Sequence, residues 1–408
     1  MSTRPDMSIE TRGDVVSTAK ALYRALACGD RDAIAALLGD DFIGHAAEGL
    51  PLGMGGEHRG AEAMQRDLWW KIGRHFKVDA QADEFQILDH GGLLVTGHYR
   101  GVARSSGRPL DAEFTHVLRF AQDGRITSLH QLTDTAAWIE ALGDDAPLDT
   151  IDYSVTDGVA TICLNRPDQR NAIDLRMGEE SLVVARRIAA DASVRAVLIC
   201  GNGPALTVGG DIDYFLKSSP AEFGNLFARM TTPFHEAFRI LSRIEAPIVT
   251  AAHGAVAGGG LGYVYAADIV LAAQGTHFVT AFAGIGLSGD GGGTWHLPRL
   301  IGPARAARAY LENRPITAEQ ALDWGLISEI VPAEELRPRA TALAAALAQG
   351  PTRAFARMRK LLRETWHNDL SQQLLAETEG IKATGDTVDA ANAIASFAAK
   401  RTPQFEGR

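Results

Sequence analysis

The clearest chemistry in this sequence lies in two glycine-rich turns, Val208-Gly209-Gly210-Asp211 and His253-Gly254-Ala255-Val256-Ala257-Gly258-Gly259-Gly260. Each follows a short apolar run, Ala196–Cys200 before the first and Pro247–Ala252 before the second. Glycine lets a backbone N–H approach a ligand with no side chain in the way. Two such N–H groups can hold one carbonyl oxygen as it becomes an oxyanion. That is enolate or tetrahedral-intermediate chemistry on an acyl group. A second set of candidates is histidine-based. Alternation along Glu113–Phe120 places Phe114, His116, Leu118 and Phe120 on one face. His130 and Asp134 share a face of the run that follows. A pocket histidine serves acid–base chemistry near neutral pH.

The elements that position these residues fall into two groups. Val15, Ala19, Leu22, Tyr23 and Leu26 repeat at helical spacing until Cys28-Gly29-Asp30 breaks the pattern. Further helices are expected over Arg31–Leu38 and Ala61–Phe76, then strands over Lys77–Leu88, Leu93–Ala103, Leu110–Phe120 and Arg125–Thr133. Helices first and an antiparallel sheet afterwards predict an α+β layer. Gly143-Asp144-Asp145-Ala146-Pro147 reads as a break. A hairpin, Ile151–Val155 with Val159–Leu164, then opens an alternating α/β unit. The expected organisation is a disordered tail over 1–12, a first domain over 13–142, a linker over 143–150 and a second domain over 151–408. Within the last, 151–316 forms the core and 317–408 is helical.

Composition narrows the classes. A chain of 408 residues favours two or three domains. The net charge of −10 disfavours a broad nucleic-acid surface. Cys28, Cys163 and Cys200 are far apart in sequence and lack metal-type spacing, so they read as reduced thiols, no metal site is expected, and a cytoplasmic location follows. No apolar run is long enough for a membrane span, and Met1–Asp6 lacks an apolar signal core.

Residues 151–408 resemble the crotonase (enoyl-CoA hydratase/isomerase) superfamily. The matching pieces are Leu164-Asn165-Arg166-Pro167 with Asn171-Ala172, the two glycine turns, Gly292-Gly293-Thr294 with Leu297-Pro298-Arg299, Ala318–Ala321 with Trp324-Gly325-Leu326, and the tail Lys400–Phe405. The resemblance implies a spiral ββα fold with a helical C-terminal trimerisation region. It implies oxyanion-hole donors at the N–H groups of Gly210 and Gly259. Val208 stands where Ser or Ala is common. The two glutamates of the family's hydratases align with Gly262 and Phe282, so ordinary hydration is not expected. Asp290, in Gly289-Asp290-Gly291-Gly292-Gly293-Thr294, resembles the base of the isomerase branch, which includes the dienoyl-CoA and ring-1,2-epoxyphenylacetyl-CoA isomerases. Coenzyme A, or the phosphopantetheine of an acyl carrier protein, would enter as part of the substrate. Arg166, Arg170 and Ala172 mark its expected contacts. No prosthetic group is implied, and a trimer or hexamer is expected by analogy.

Residues 13–142 resemble the NTF2-like superfamily, near the SnoaL-type polyketide cyclases and ketosteroid-isomerase-like proteins. The pieces are Asp40–His45, Arg59-Gly60, Val117–Phe120 with Asp123–Ile126, and Leu132–Ala137. The resemblance implies a curved sheet wrapped into a cone with an apolar pocket. His45, His116, His130 and Asp134 would line it. Together the halves suggest an acyl-thioester isomerase whose cone binds or further transforms the acyl chain, in polyketide or aromatic metabolism. Alternative readings are decarboxylation, thioester hydrolysis, dehydration or cyclisation at the same oxyanion hole, or a non-catalytic scaffold.

Overall fold

The structure is a computed structural model that describes residues 9–89, 91–143 and 147–407. The chain divides between Pro147 and Leu148, inside the segment expected to be a linker. Residues 144–146 of that segment, 1–8 of the expected tail and His90 lie outside the described residues.

The first unit begins with helix α1 (Ile9–Cys28), so residues 9–12 are helical rather than disordered. Val15, Ala19 and Leu22 of its repeat are buried. Helix α2 (Arg31–Leu37) starts where the Asp30 carboxylate accepts the Ala33 N–H at 3.0 Å. Strands β1 (Leu38–Ala46) and β2 (Gly56–Arg59) come next. The expected helix over 61–76 is divided into α3 (Ala61–Met64), a wide π-type turn and α4 (Trp70–His75). Strands β3 (Phe76–Ile87), β4 (Leu93–Ala103), β5 (Pro109–Phe120) and β6 (Ile126–Thr133) lead to helix α5 (Thr135–Leu142). The sheet runs β2-β1-β6-β5-β4-β3. It is not wholly antiparallel, because β1 lies parallel to β6. Sequence periodicity does not reveal that pairing, since it joins segments at opposite ends of the unit.

The second unit opens with the hairpin β7 (Ile151–Thr156) and β8 (Val159–Leu164). It continues through α6 (Leu175–Ala190), β9 (Ala196–Gly201), α7 (Ile212–Phe215), α8 (Phe223–Leu241), β10 (Ile248–Ala252), β11 (Ala255–Ala257), α9 (Gly262–Tyr265), β12 (Ile269–Ala273) and β13 (His277–Val279). Then come α10 (Gly293–Ile301), α11 (Pro303–Leu311), β14 (Ile316–Thr317), α12 (Ala318–Trp324), β15 (Glu329–Val331) and four helices: α13 (Ala333–Ala348), α14 (Thr352–Glu364), α15 (Leu370–Gly385) and α16 (Val388–Ala398). The main sheet has the order β15-β12-β10-β9-β8-β7, and β11-β13-β14 form a second, smaller sheet. Strand β15 comes from the region expected to be helical and completes the main sheet beside β12.

Alternate residues of the main sheet serve two layers. Val197, Ile199 and Ile248 pack with Met177, Val184 and Ile188 of α6 and Phe234, Ala237 and Leu241 of α8. Leu198, Val249 and Leu271 pack with Leu336, Ala340 and Ala344 of α13. The start of the unit is clamped by the buried Glu180 carboxylate. It accepts the N–H groups of Asp149 (2.7 Å), Thr150 (2.8 Å) and Ile151 (3.1 Å) and the Thr150 hydroxyl (2.7 Å). Arg176 Nε lies 2.7 Å from the same carboxylate. Residues 149 and 150 therefore belong to the second unit rather than to a free linker.

Candidate active site

The two glycine turns lie side by side. The Thr207 N–H donates to Ala255 O at 3.3 Å, and the Ala257 N–H donates to Thr207 O at 3.0 Å. This parallel bridge brings together segments that are distant in sequence. The approach favours glycine: Gly209 (φ +85°) and Gly258 (φ +54°) adopt the left-handed region, and a Cβ on Gly209 would lie 2.9 Å from Ala257 O. Around Gly210 the neighbouring groups are spoken for. Gly209 N–H donates to Thr207 Oγ1 (3.1 Å), Gly209 O accepts from Ile173 N–H (2.8 Å), and Asp211 N–H donates to Ile173 O (2.9 Å). In such a bridge the N–H of Gly210 itself points away from Ile173. Gly259 is the second residue of the short helical turn Gly258–Leu261. Amides in a first helical turn have no partner within it and favour negative charge.

The Asp290 carboxylate rests directly against the second turn. A Cβ on Gly259 would run into it, and a Cβ on Gly291 would lie 2.6 Å from Gly259 O. Asp290 Oδ1 is buried with no hydrogen-bond partner among the described residues. Burial pushes the Asp290 carboxyl up from its ordinary value, and His235 partly opposes this. His235, on α8, accepts the Gly291 N–H at Nε2 (3.1 Å), which fixes the loop that carries Asp290. The carboxylate borders a cavity of about 1290 Å³, also lined by His235, Phe238, Gly262, Tyr265, Trp295 and His296. Gly210 and Gly259 do not line that cavity; Asp290, which packs against Gly259, does.

The profile of the enoyl-CoA hydratase/isomerase family matches residues 154–408. The chain belongs to the enoyl-CoA hydratase/isomerase family. The SnoaL-like domain profile matches residues 19–129, so the first unit is SnoaL-like. A Rhodobacter capsulatus protein named "Probable enoyl-CoA hydratase" is 37% identical over 259 residues, covering 64% of this chain and 98% of its own length. The 1,2-epoxyphenylacetyl-CoA isomerase of Escherichia coli is 32% identical over 254 residues, 62% of this chain and 97% of its own. A solved enoyl-CoA hydratase from Polaromonas sp. JS666 superposes with a TM-score of 0.60 at 28% identity, covering 63% of this chain and 99% of that one.

The two positions expected to align with the hydratase glutamates, Gly262 and Phe282, are closely packed. At Gly262, the Phe238 ring occupies the space a Cβ would need. Phe282 is buried and stacks on Tyr310 with ring centroids 6.4 Å apart. Tyr265 Oη is buried without a hydrogen-bond partner among the described residues, and its ring stacks on His296 at 5.4 Å. Burial, with Arg363 and Arg299 nearby, pushes His296 down to about 4, so it is neutral at physiological pH. His235, Phe238 and Tyr265 were not legible in the sequence. They sit on helices whose spacing reports only packing, and no glycine signature marks them.

The expected thioester-contact residues are divided. Arg166 is held inside the protein, 2.9 Å from Asp211 Oδ2 and 3.3 Å from Asp174 Oδ2, with a further hydrogen bond to Ala172 O. Its charge serves the turn that carries Gly210. Asp211 also caps α7 through the Tyr214 N–H (2.9 Å). Arg170 is exposed, in a left-handed conformation (φ 51°), and Ala172 is buried. Asn171 ties this loop to the turn after β9, donating to Asn202 O and Ala205 O, both at 2.9 Å.

In the SnoaL-like unit the four candidates separate. His116 faces the core, as alternation predicts, and is 4% exposed. Tyr23 Oη meets its Nδ1 at 2.8 Å and Tyr99 Oη meets its Nε2 at 3.0 Å. Gln131 donates to Tyr99 Oη at 2.8 Å. Burial pushes His116 down to about 3, so it is a neutral link in a polar network. His45 and His130 do not join it. They face each other across β1 and β6 on the opposite side of the sheet, their rings 5.4 Å apart, with His130 exposed. The reason is register: His116 pairs with Gln131, so His130, one residue earlier, points the other way. Asp134 has left the strand and caps α5, accepting from the N–H groups of Ala136 and Ala137.

Proposed function

We propose that this chain is an acyl-thioester double-bond isomerase with Asp290 as its base. The observation that carries the reading is the buried, unpartnered Asp290 Oδ1 beside the Gly259 turn. The N–H groups of Gly210 and Gly259 would receive the thioester oxygen. Asp290 would remove a proton from the carbon chain, the electron pair would move toward the thioester as an enolate, and the proton would return at another carbon. A desolvated carboxylate is a stronger base than one in water. The oxyanion donors lower the same barrier, typically by roughly 10²–10³ in rate for each donor.

Similarity to the E. coli 1,2-epoxyphenylacetyl-CoA isomerase supports this reading, as does 28% identity over 256 residues to the trans-2-decenoyl-[acyl-carrier-protein] isomerase of Streptococcus mutans. The acyl group would enter as a coenzyme A or carrier-protein thioester. The SnoaL-like unit would bind the acyl chain or act on the product. Hydration, suggested by the R. capsulatus relative, lacks support at Gly262 and Phe282.

Solvent deuterium exchange at the α and γ carbons of a panel of enoyl thioesters tests the proposal. Exchange by the wild-type chain and its loss in Asp290→Asn are expected. Exchange retained in that variant would overturn Asp290 as base, and a 3-hydroxyacyl product would overturn isomerisation in favour of hydration.

A further inference from the structure

Three cysteines far apart in sequence read as three separate thiols, but the fold makes a pair of two of them. Cys163 on β8 and Cys200 on β9 are directly opposed in parallel register. Opposed residues share a sheet face, and neighbouring strands lie about 4.8 Å apart. A disulfide needs Cα atoms about 4.4–6.8 Å apart, so the backbone spacing already suits one. Both thiols face the α13 layer, packed with Leu198, Val249 and Leu336. Cys28, the third, is exposed in the other unit.

A cation caps this pair. Arg337, at the start of α13, directs Nη2 to Cys163 Sγ at 3.2 Å and Nη1 to Cys200 Sγ. The same Nη2 reaches Asn202 Oδ1 at 3.3 Å, and the Cys163 thiol meets that oxygen at 3.2 Å. The groups facing Cys163 are thus Cys200 from β9, Arg337 from α13 and, at longer range, Asp152 from β7, which opposes ionisation. His253, after β10, feels the same Arg337 charge. The hydrogen bond from Cys200 and the Arg337 guanidinium hold Cys163 below the ordinary thiol range, while Cys200 is pushed above it by the same hydrogen bond and by burial. A thiolate beside a guanidinium is the nucleophile of thiol chemistry, and a neighbouring thiol resolves its oxidised form.

We propose that Cys163 and Cys200 form a reversible thiol-oxidation site for small hydroperoxides, with Arg337 as the group that stabilises the attacking thiolate. The Cys163 thiolate attacks a peroxide oxygen, the O–O bond breaks, and an alcohol or water leaves after protonation. Cys163 is then a sulfenic acid. The Cys200 sulfur attacks it, the S–O bond breaks, water leaves, and a disulfide forms. Two electrons pass from the two sulfurs to the peroxide, and a thiol reductant returns them. This assignment is independent of the isomerase reading, since no residue is shared.

The test uses the full chain with Cys28→Ser, to exclude linkage between chains. After hydrogen peroxide, remaining thiols are alkylated under denaturing conditions and the intact mass and linked peptides are read. Loss of both alkylatable thiols, a Cys163–Cys200 linked peptide and recovery with a thiol reductant are expected. Two thiols still alkylatable after treatment would overturn the proposal. With Cys200→Ser, a sulfenic-acid trap should label Cys163; labelling at Cys200 in Cys163→Ser, and none at Cys163, would overturn the assigned order. Arg337→Gln should slow disulfide formation about tenfold or more, and an unchanged rate would remove Arg337 from the site.

Discussion

A carboxylate with a buried, unpaired oxygen is in tension with its own fold. Burial holds the Asp290 carboxyl above its ordinary value, so the native state binds its proton more tightly than the unfolded chain does. Between the unfolded and the folded value stability therefore falls as pH rises, and above both the ionised form costs stability. Asp290→Asn removes that charge. We expect it to raise the thermal midpoint at neutral pH, by scanning calorimetry, while cutting exchange by about 10²–10⁴-fold. The pH–rate profile of the wild type should lose activity on its acid side at a pH above the usual carboxylate range, as the base becomes protonated. Gly259 offers a second test. Its φ lies outside the left-handed region, so alanine is conformationally allowed there, and the obstacle is the Asp290 carboxylate. Gly259→Ala should leave the chain folded and lower kcat by roughly 10²-fold, the scale of a displaced oxyanion donor.

At the scale of elements, helix α8 limits what Gly262 can become. Phe238 fills the space above Gly262, so Gly262→Glu alone should produce no hydratase activity and should destabilise the protein by overpacking, by about 1–3 kcal/mol in urea unfolding. Glu180 on α6 makes the opposite kind of contribution. Removing it as Glu180→Ala would orphan three backbone amides at the start of the second unit and leave Arg176 with Asp149 in place of two carboxylates, at a cost of about 3–5 kcal/mol. The sequence made the glycine turns and Asp290 legible because tight backbone approach permits only glycine and leaves a local mark. It revealed the β7–β8 hairpin and the alternation that turns His116 inward for similar reasons, since both are periodic or turn-coded. The parallel pairing of β1 with β6 left no such mark, and it is what sets His45 beside His130 on the outward face. Strand β15 was hidden because three residues carry too little pattern to compete with the helices around them. His235 was missed because its role, accepting the Gly291 N–H, exists only after α8 has packed beside the loop.

For the whole molecule, the expected trimer or hexamer can be tested at the exposed apolar side chains of the C-terminal helices. Leu362, Leu370, Leu375, Ile381, Ile394 and Phe397 are each at least 62% exposed. Where such side chains are contiguous they mark an interaction surface. Sedimentation of the wild-type chain should show a trimer or hexamer, and Leu375→Glu with Ile381→Glu should shift it toward monomer. The SnoaL-like unit has its own acid limit. His116 is held neutral down to about 3, whereas the unfolded chain takes up this proton near the ordinary histidine value of 6.5. Its contribution is complete above about 6.5 and is lost as pH falls toward 3, so unfolding of this unit should be acid-sensitive over that window. His116→Gln should flatten the slope. No helix among the described residues is long and apolar enough to cross a membrane.

The strand orders of the two sheets imply different histories for a nascent chain. In the second unit the main sheet reads β7, β8, β9, β10, β12, β15 from one edge to the other, so each strand docks on the one made before it. Such a sheet can grow as the chain leaves the ribosome, and the glycine turns have their framework once β10 and β11 have emerged. The first unit cannot proceed this way. Strand β1 is synthesised early but must wait for β6, which ends at Thr133, before it has its second partner. Until then β1 keeps an exposed edge, a template for pairing with another chain.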